Sequence, residues 1–459
     1  MGKNKRHEKA VSTKSSAREF LRSRLSRLKN GFDSALNGAG TADGRVLETN
    51  RYDDLEFING INKATSEADM FGVLVVRADQ AAAHTGNAAH EDPGPQADHI
   101  AGVVEAVCRR ADGVWGAMES GMFGCCVPGF DDDACLKTAE EIIRGVHALN
   151  NGSVSIGTAR YPMLDYNRDE IVENAYKALN HAAFLGPGST VAFDAVSLNI
   201  SGDVLYQAGD IKGAADEFER GLRIDPRDEN LNNSLGVCYG ELGDLAGALG
   251  YFETVLAINP NSVLALHNAG YVKAMLDDPE GALAYFMRAD AQDGSIFEIA
   301  FHTGKLLVEA GHQERAKPYL ERAVKLNPAF GKAHYLMGEC SRGMGLTDEA
   351  VRAYKSAIRR NPNDADALSA LGLLYDEMGE NPEIPLIFCE KSVELSPENG
   401  LFACRFGQVL MNQEKTQRAL TMFEKARDLG YDAEEWIAAA RAALSQGGQE
   451  GRASGGKGE

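Results

Sequence analysis

Seven glycines constrain this chain more than any other feature. Gly202, Gly236, Gly270, Gly304, Gly338 and Gly372 recur every 34 residues, and Gly407 follows after 35. Twelve residues beyond most of them stands an alanine: Ala214, Ala248, Ala282, Ala316, Ala350 and Ala419. Aromatic residues fill a further column at Phe218, Phe252, Phe286, Tyr354 and Phe423. Prolines close most units, at 226, 260, 328, 362 and 397. A fixed period of this length marks stacked supersecondary units, each unable to bury its apolar face alone. The glycine and the alanine let two helices approach closely, and the proline ends the second helix of each pair. A second glycine, as at Gly209, Gly243, Gly311, Gly345 and Gly379, suits the left-handed end of the first helix.

These columns closely resemble the tetratricopeptide repeat, over about half of the chain. Gly294 replaces the closing proline of the third unit, and Pro385 stands where the sixth should have alanine, so that unit's second helix should start late or kink. "DAEEWIAAARAAL" should form a capping helix with Trp436 against the last repeat. The resemblance implies a right-handed superhelix whose groove is lined by the first helix of each pair. One column there reads Asn199, Asn233, His267, Phe301, Tyr335, Ser369 and Cys404. The next reads Asp203, Val237, Tyr271, Lys305, Glu339, Leu373 and Gln408. Amides in the first two units could grip a peptide backbone, and the aromatics further on could hold an apolar anchor. His267, His302, His312 and His334 lack metal-ligand spacing and read as surface or groove residues.

Ahead of the repeats, strand and helix patterns alternate. "FGVLVVR" is a continuous apolar run suited to a buried strand. "GVWGAM" and "MFGCCV" flank the turn in "ESGMFGCCVPG" as a hairpin, and "LKTAEEIIRGVHAL" carries one apolar helical face. The order β-α-β-β-α-β-α predicts an α+β sheet with helices on one face.

This part resembles the end of a GGDEF domain, the fold of diguanylate cyclases. Ser155, Ile156, Gly157 and Ala159 match its strand, and Ala175, Ala178, Leu179, Ala182 and Gly186 match its last helix. Asn50 and Arg51 resemble its start, and Phe123 and Pro128 keep its spacing after the signature, which reads "ESGMF" here. That family joins two GTP molecules with Mg²⁺ held by carboxylates and phosphates held by lysine and backbone amides. On this chain the first metal carboxylate falls on Arg77 and the acidic signature residue on Met122 or Gly121. The two signature glycines fall on Glu119 and Ser120, and the phosphate lysine on Ala183. Magnesium needs hard oxygen ligands, and phosphoryl transfer needs charge neutralisation, so the resemblance implies a fold without the cyclase activity. "RRAD" resembles the motif that binds cyclic di-GMP, leaving Arg109 and Asp112 as a possible ligand pair with one residue too many before the signature. Asp79 near the metal strand is a single carboxylate. Asp131, Asp132 and Asp133 read as a helix N-cap, and His84, His90 and His99 as loop histidines.

The net charge of −20 is uneven: residues 1–30 carry a balance of +8. An acidic body would repel phosphates, so no nucleic acid is expected as partner. No apolar run of membrane-spanning length occurs, the basic start has no apolar segment behind it, and Arg6 argues against myristoylation. Eight cysteines without a C-x-x-C pair read as reduced core residues of a cytoplasmic protein. "AREFLRSRLSRLKN" (17–30) suits an amphipathic helix through Phe20, Leu21, Leu25 and Leu28.

The expected fold is therefore multidomain. Residues 1–41 form a basic, partly helical segment, 42–194 a degenerate GGDEF-like domain, 195–431 seven repeats, 432–445 a capping helix and 446–459 a disordered tail. The expected function is a non-catalytic scaffold or adaptor in bacterial signalling, without cofactor or metal. It would bind a protein or peptide partner through the groove, with the GGDEF-like domain as a docking or homodimerisation module. A cyclic di-GMP-sensing effector and a residual diguanylate cyclase are the alternatives.

Overall fold

A computed structural model describes residues 55–79, 95–118, 121–150, 152–379 and 381–454. The expectations placed on residues 1–54, on His84 and His90, on Glu119 and Ser120 and on the last five residues lie outside this range. Two compact units divide between Pro260 and Asn261.

The first unit opens with α1 (Leu55–Ala64), β1 (Phe71–Ala78), α2 (Pro95–Arg110), β2 (Val114–Met118) and β3 (Met122–Pro128). It continues with α3 (Asp132–Asn150), β4 (Val154–Tyr161), α4 (Ile171–Leu185) and β5 (Thr190–Ala192). The sheet order is β2-β3-β1-β4-β5, antiparallel except for the β4–β5 pair. The hairpin is real: Met118 faces Met122 across its turn. The sequence pattern did not reveal α1 or β5.

Helices cover both faces of the sheet, not one. Along β1, Phe71, Val73 and Val75 join Phe57 and Ile61 of α1 and Ile171, Ala175 and Leu179 of α4. Leu74 and Val76 point the other way, to Ile100 and Val104 of α2 and Cys135 and Ile142 of α3. A strand buried on both sides has no polar alternation, which is the reason for the unbroken run "FGVLVVR". At the end of β1, Asp79 accepts hydrogen bonds from Ser153 Oγ (2.5 Å), Ser155 Oγ (2.6 Å) and the Gly188 N–H (2.7 Å). It is a staple between strand ends, with its oxygens occupied. Asp131 caps α3 by accepting from the Ala134 N–H at 2.9 Å.

Two helix pairs complete this unit: α5 (Ala195–Ala208) with α6 (Ile211–Ile224), and α7 (Glu229–Leu242) with α8 (Leu245–Ile258). Leu198 of α5 belongs to the same apolar cluster as the α4 face of the sheet.

The second unit holds α9 (Val263–Met275), α10 (Pro279–Gln292), α11 (Phe297–Glu309), α12 (Gln313–Leu326) and α13 (Gly331–Gly343). After them come α14 (Thr347–Arg360), α15 (Ala365–Glu377), α16 (Glu383–Leu395), α17 (Gly400–Asn412) and α18 (Thr416–Asp428). The last helix, α19, runs Glu434–Ser454, well past the expected end at 445. Trp436 stacks on Phe423, with ring centroids 5.7 Å apart.

The glycine and aromatic columns are one contact. A Cβ at Gly202, Gly236, Gly270, Gly338 or Gly407 would stand 2.3–2.9 Å from the ring of Phe218, Phe252, Phe286, Tyr354 or Phe423 respectively. The ring of the second helix lies where a side chain on the first would be. Gly304 and Gly372 meet Leu320 and Cys389 instead. Gly209, Gly243, Gly311, Gly345 and Gly379 all take positive φ. Units three and seven have Asp277 and Glu414 there, also at positive φ. Pro385 is buried in the first turn of α16, where a missing N–H costs nothing, so the helix starts after Pro382 and accommodates it. All eight cysteines are buried and unbridged. Among the described residues no helix is long and apolar enough to cross a membrane.

Candidate functional site

The first helix of each pair carries the expected groove positions, and depth separates them. In the first unit Asn199, Asp203 and Asn233 are half-buried on α5 and α7. Asn199 Oδ1 has no hydrogen-bond partner. Burial pushes the Asp203 carboxyl up to about 7.

In the second unit Tyr271, Lys305, Tyr335 and Glu339 remain half-buried. His267 (6% exposed), Phe301 (9%), Ser369 (0%) and Cys404 (1%) do not: they are core residues, which corrects their assignment to the groove surface. For His267 and Phe301 the cause is a ring cluster. The His302 imidazole lies 5.3 Å from the Phe301 ring, 5.6 Å from Phe286, 5.8 Å from Tyr271 and 6.2 Å from His267. Burial, helped by the neighbouring His267 and Lys305, lowers His302 to about 3, so it is a packed neutral ring and not an ordinary surface histidine. Protonation in the unfolded chain begins near the ordinary value of 6.5, so this stabilisation is complete above pH 6.5 and is lost as pH falls toward 3. From pH 7 to 4.5 the wild type should lose about 2–3 kcal/mol more unfolding free energy than His302→Phe. Urea titrations at the two pH values measure it, and parallel losses would exclude His302 as the cause.

Other expected positions are already engaged. Lys332 Nζ sits 4.5 Å over the Tyr335 ring, Glu339 accepts from Tyr354 OH at 2.5 Å, and Lys305 reaches Glu309 at 4.0 Å. A recess of about 510 Å³ lies at the starts of α13, α15 and α17, where Lys332 and Asp366 pair at 2.6 Å.

One residue escaped the sequence reading. Arg405, on α17, is only 8% exposed and its Nη1 has no partner. Its charge acts on the Tyr335 phenol. Ser369 Oγ on α15 is also buried without a partner. No sequence signal marked it: the same position holds Leu336 and Ala370 in the two preceding units but Ser234, Asn268 and His302 in the three before those, so the column already tolerates polar residues.

In the sheet domain, Arg77 and Met122 are direct neighbours across β1 and β3, and Ala183 is exposed near the end of α4. Arg109 is 72% exposed and pairs with Glu105 at 2.6 Å. Asp112 has φ 55 and its N–H donates to the Arg109 carbonyl, closing "RRAD" into a turn. Among the described residues no three His, Cys, Asp or Glu side chains gather as a metal site.

Comparison with known proteins agrees with the repeat geometry. The tetratricopeptide repeat family matches residues 201–263 and 307–374. Hsp70-Hsp90 organizing protein 2 of Arabidopsis thaliana is 32% identical over 112 residues, 24% of this chain and 19% of its own length. Anaphase-promoting complex subunit 3 of Schizosaccharomyces pombe is 24% identical over 107 residues, 23% of this chain and 16% of its own. The matched segment thus spans a fifth or less of these relatives. A solved tetratricopeptide repeat protein from Parabacteroides merdae is 20% identical with a TM-score of 0.42, covering 54% of this chain and 98% of its own. YrrB is 23% identical with a TM-score of 0.38, covering 41% and 96%. Residues 201–263 and 307–374 of this chain carry tetratricopeptide repeats.

Proposed function

We propose that this chain is a non-catalytic adaptor whose repeats hold a protein partner, with an acidic group of that partner on Arg405. Stacked repeats of this kind expose extended binding surfaces and little chemistry. The observation that carries the reading is the buried Arg405 guanidinium without a hydrogen-bonding partner at Nη1. A buried charge left unpaired is costly, and a carboxylate is its natural complement. Ser369 Oγ offers a second unsatisfied group on the neighbouring helix.

The sheet domain is, in this reading, an inactive relative of the GGDEF fold that serves as a docking or dimerisation module in bacterial signalling, in the cytoplasm. A cation at Arg77 and a thioether at Met122, side by side, support the absence of magnesium chemistry. The cyclic di-GMP alternative has less support, because Arg109 is engaged by Glu105.

Peptides selected from a random library on the full chain should be enriched in Asp, Glu or a terminal carboxylate. Arg405→Leu should weaken them by about tenfold or more, the scale of a hydrogen bond to a charged group. Its thermal stability should hold or rise, because an unpaired charge has left the interior. Selected peptides without acidic groups, or affinities indifferent to Arg405→Leu, would overturn the reading.

A further inference from the structure

The first unit contains a polar cavity that none of the above uses. It lies where α4 of the sheet domain faces α6 of the first repeat and measures about 200 Å³. Glu173, Asn174 and Lys177 line one side, and Asp216, Glu217 and Arg220 the other. Asn174 is 1% exposed, and neither its Oδ1 nor its Nδ2 has a hydrogen-bond partner. Glu217 is 7% exposed; its Oε1 accepts from Lys177 Nζ at 2.8 Å, while its Oε2 has no partner. Buried amides and carboxylates are almost always bonded, so three orphan atoms on two residues lining opposite sides of one cavity point to a group from outside the chain.

The wall chemistry selects that group. Glu170, Glu173, Asp216 and Glu217 outnumber the cations Lys177 and Arg220. Both cations are committed: Lys177 to Glu217 and, at 3.5 Å, Glu173; Arg220 to the Tyr166 ring, 4.9 Å from its centroid. The unmet acceptors are Asn174 Oδ1 and Glu217 Oε2, among lining residues with an excess of negative charge. Leu205 supplies an apolar wall for a short carbon stem. We propose that this cavity is a binding site for an organic cation with N–H donors, a guanidinium or primary ammonium on a short stem. The cation donates to Glu217 Oε2 and Asn174 Oδ1, and Asn174 Nδ2 donates to the carbonyl or water that accompanies it. The proposal is independent of the partner reading at Arg405, which lies in the other unit.

Calorimetric titration of the full chain with agmatine, and separately with a short arginine-containing peptide, tests it. Saturable binding of agmatine assigns a free metabolite-like amine. Binding of the peptide alone assigns a partner's side chain and keeps the chemistry. Butylurea, the neutral control, should not bind. Asn174→Leu removes the orphan amide without enlarging the cavity, so it should raise Tm by about 2 °C without ligand and weaken binding at least tenfold. Asp216→Lys, an exposed change that leaves the interior intact, should abolish cation binding by reversing the wall charge. No saturable binding of either cation, or a lower Tm in Asn174→Leu, would overturn the proposal, the latter by showing that the amide serves the fold through bound water.

Discussion

Gly157→Ala is expected to destabilise the sheet domain by about 3 kcal/mol or more, beyond the usual range for an added methyl group. Gly157 lies in β4 beneath α4. A Cβ there would stand 2.0 Å from the Ala175 carbonyl oxygen, 2.2 Å from Leu179 N and 2.7 Å from Leu179 Cα. All three are helix backbone, so no rotamer change relieves the clash; α4 must lift from the sheet. That would open the cluster in which Ala175, Ala178, Leu179 and Ala182 meet Val73 and Val75. Gly102→Ala is the control, because nothing lies within 4 Å of its added Cβ. An alanine inside α2 should stabilise by about 0.5–1 kcal/mol. Urea unfolding followed at Trp115, in a Trp436→Phe background, reads the sheet domain alone, since the chain has only these two tryptophans. A Gly157→Ala midpoint near that of the wild type would show that α4 has room to move and that the strand–helix contact is not rigid.

The parts of this fold legible in the sequence are those that backbone proximity imposes. The column from Gly202 to Gly407 is readable because a missing side chain cannot be replaced, and the repeat forces the same contact seven times. Gly157 was legible for the same reason, within the strand motif that resembles a GGDEF domain. What the sequence hid was depth. Phe301 and Tyr335 occupy one column, yet the first packs into rings around His302 and the second stays half-buried under Lys332. Column position gives the face of a helix; the size of the neighbours decides how far a side chain sinks. The second helical face of the sheet was written in "FGVLVVR", whose lack of alternation requires cover on both sides. The short β5 could not be read at all, because three residues give no period. The Arg405 and Asn174 sites also stayed hidden, since an unsatisfied polar atom is defined by what is absent around it.

Breaking the ion pair between α4 and α6 should have an effect of comparable size. Lys177 Nζ and Glu217 Oε1 are 2.8 Å apart, with side chains only 8% and 10% exposed. Lys177→Met leaves the Glu217 carboxylate buried without its cation, which typically costs about 3–5 kcal/mol. Lys177→Met with Glu217→Leu removes both charges and should recover most of that loss, because an apolar pair of similar volume avoids the desolvation of two ions. The cycle therefore separates a large penalty for breaking the pair from a small net value for having it. Its consequence reaches beyond stability. The pair, the exposed Arg223–Asp165 contact at 2.7 Å and the Leu198 side chain in the sheet-domain core all join the sheet domain to the first repeat. Repeat arrays need their terminal faces covered, and at this end α4 and the sheet provide the cover. In Lys177→Met that cover is loosened, so unfolding at Trp115 and loss of helix by circular dichroism should separate into two steps. In the double variant they should converge again. Coincident transitions in Lys177→Met would show that the remaining contacts join the two, and that the ion pair does not couple them.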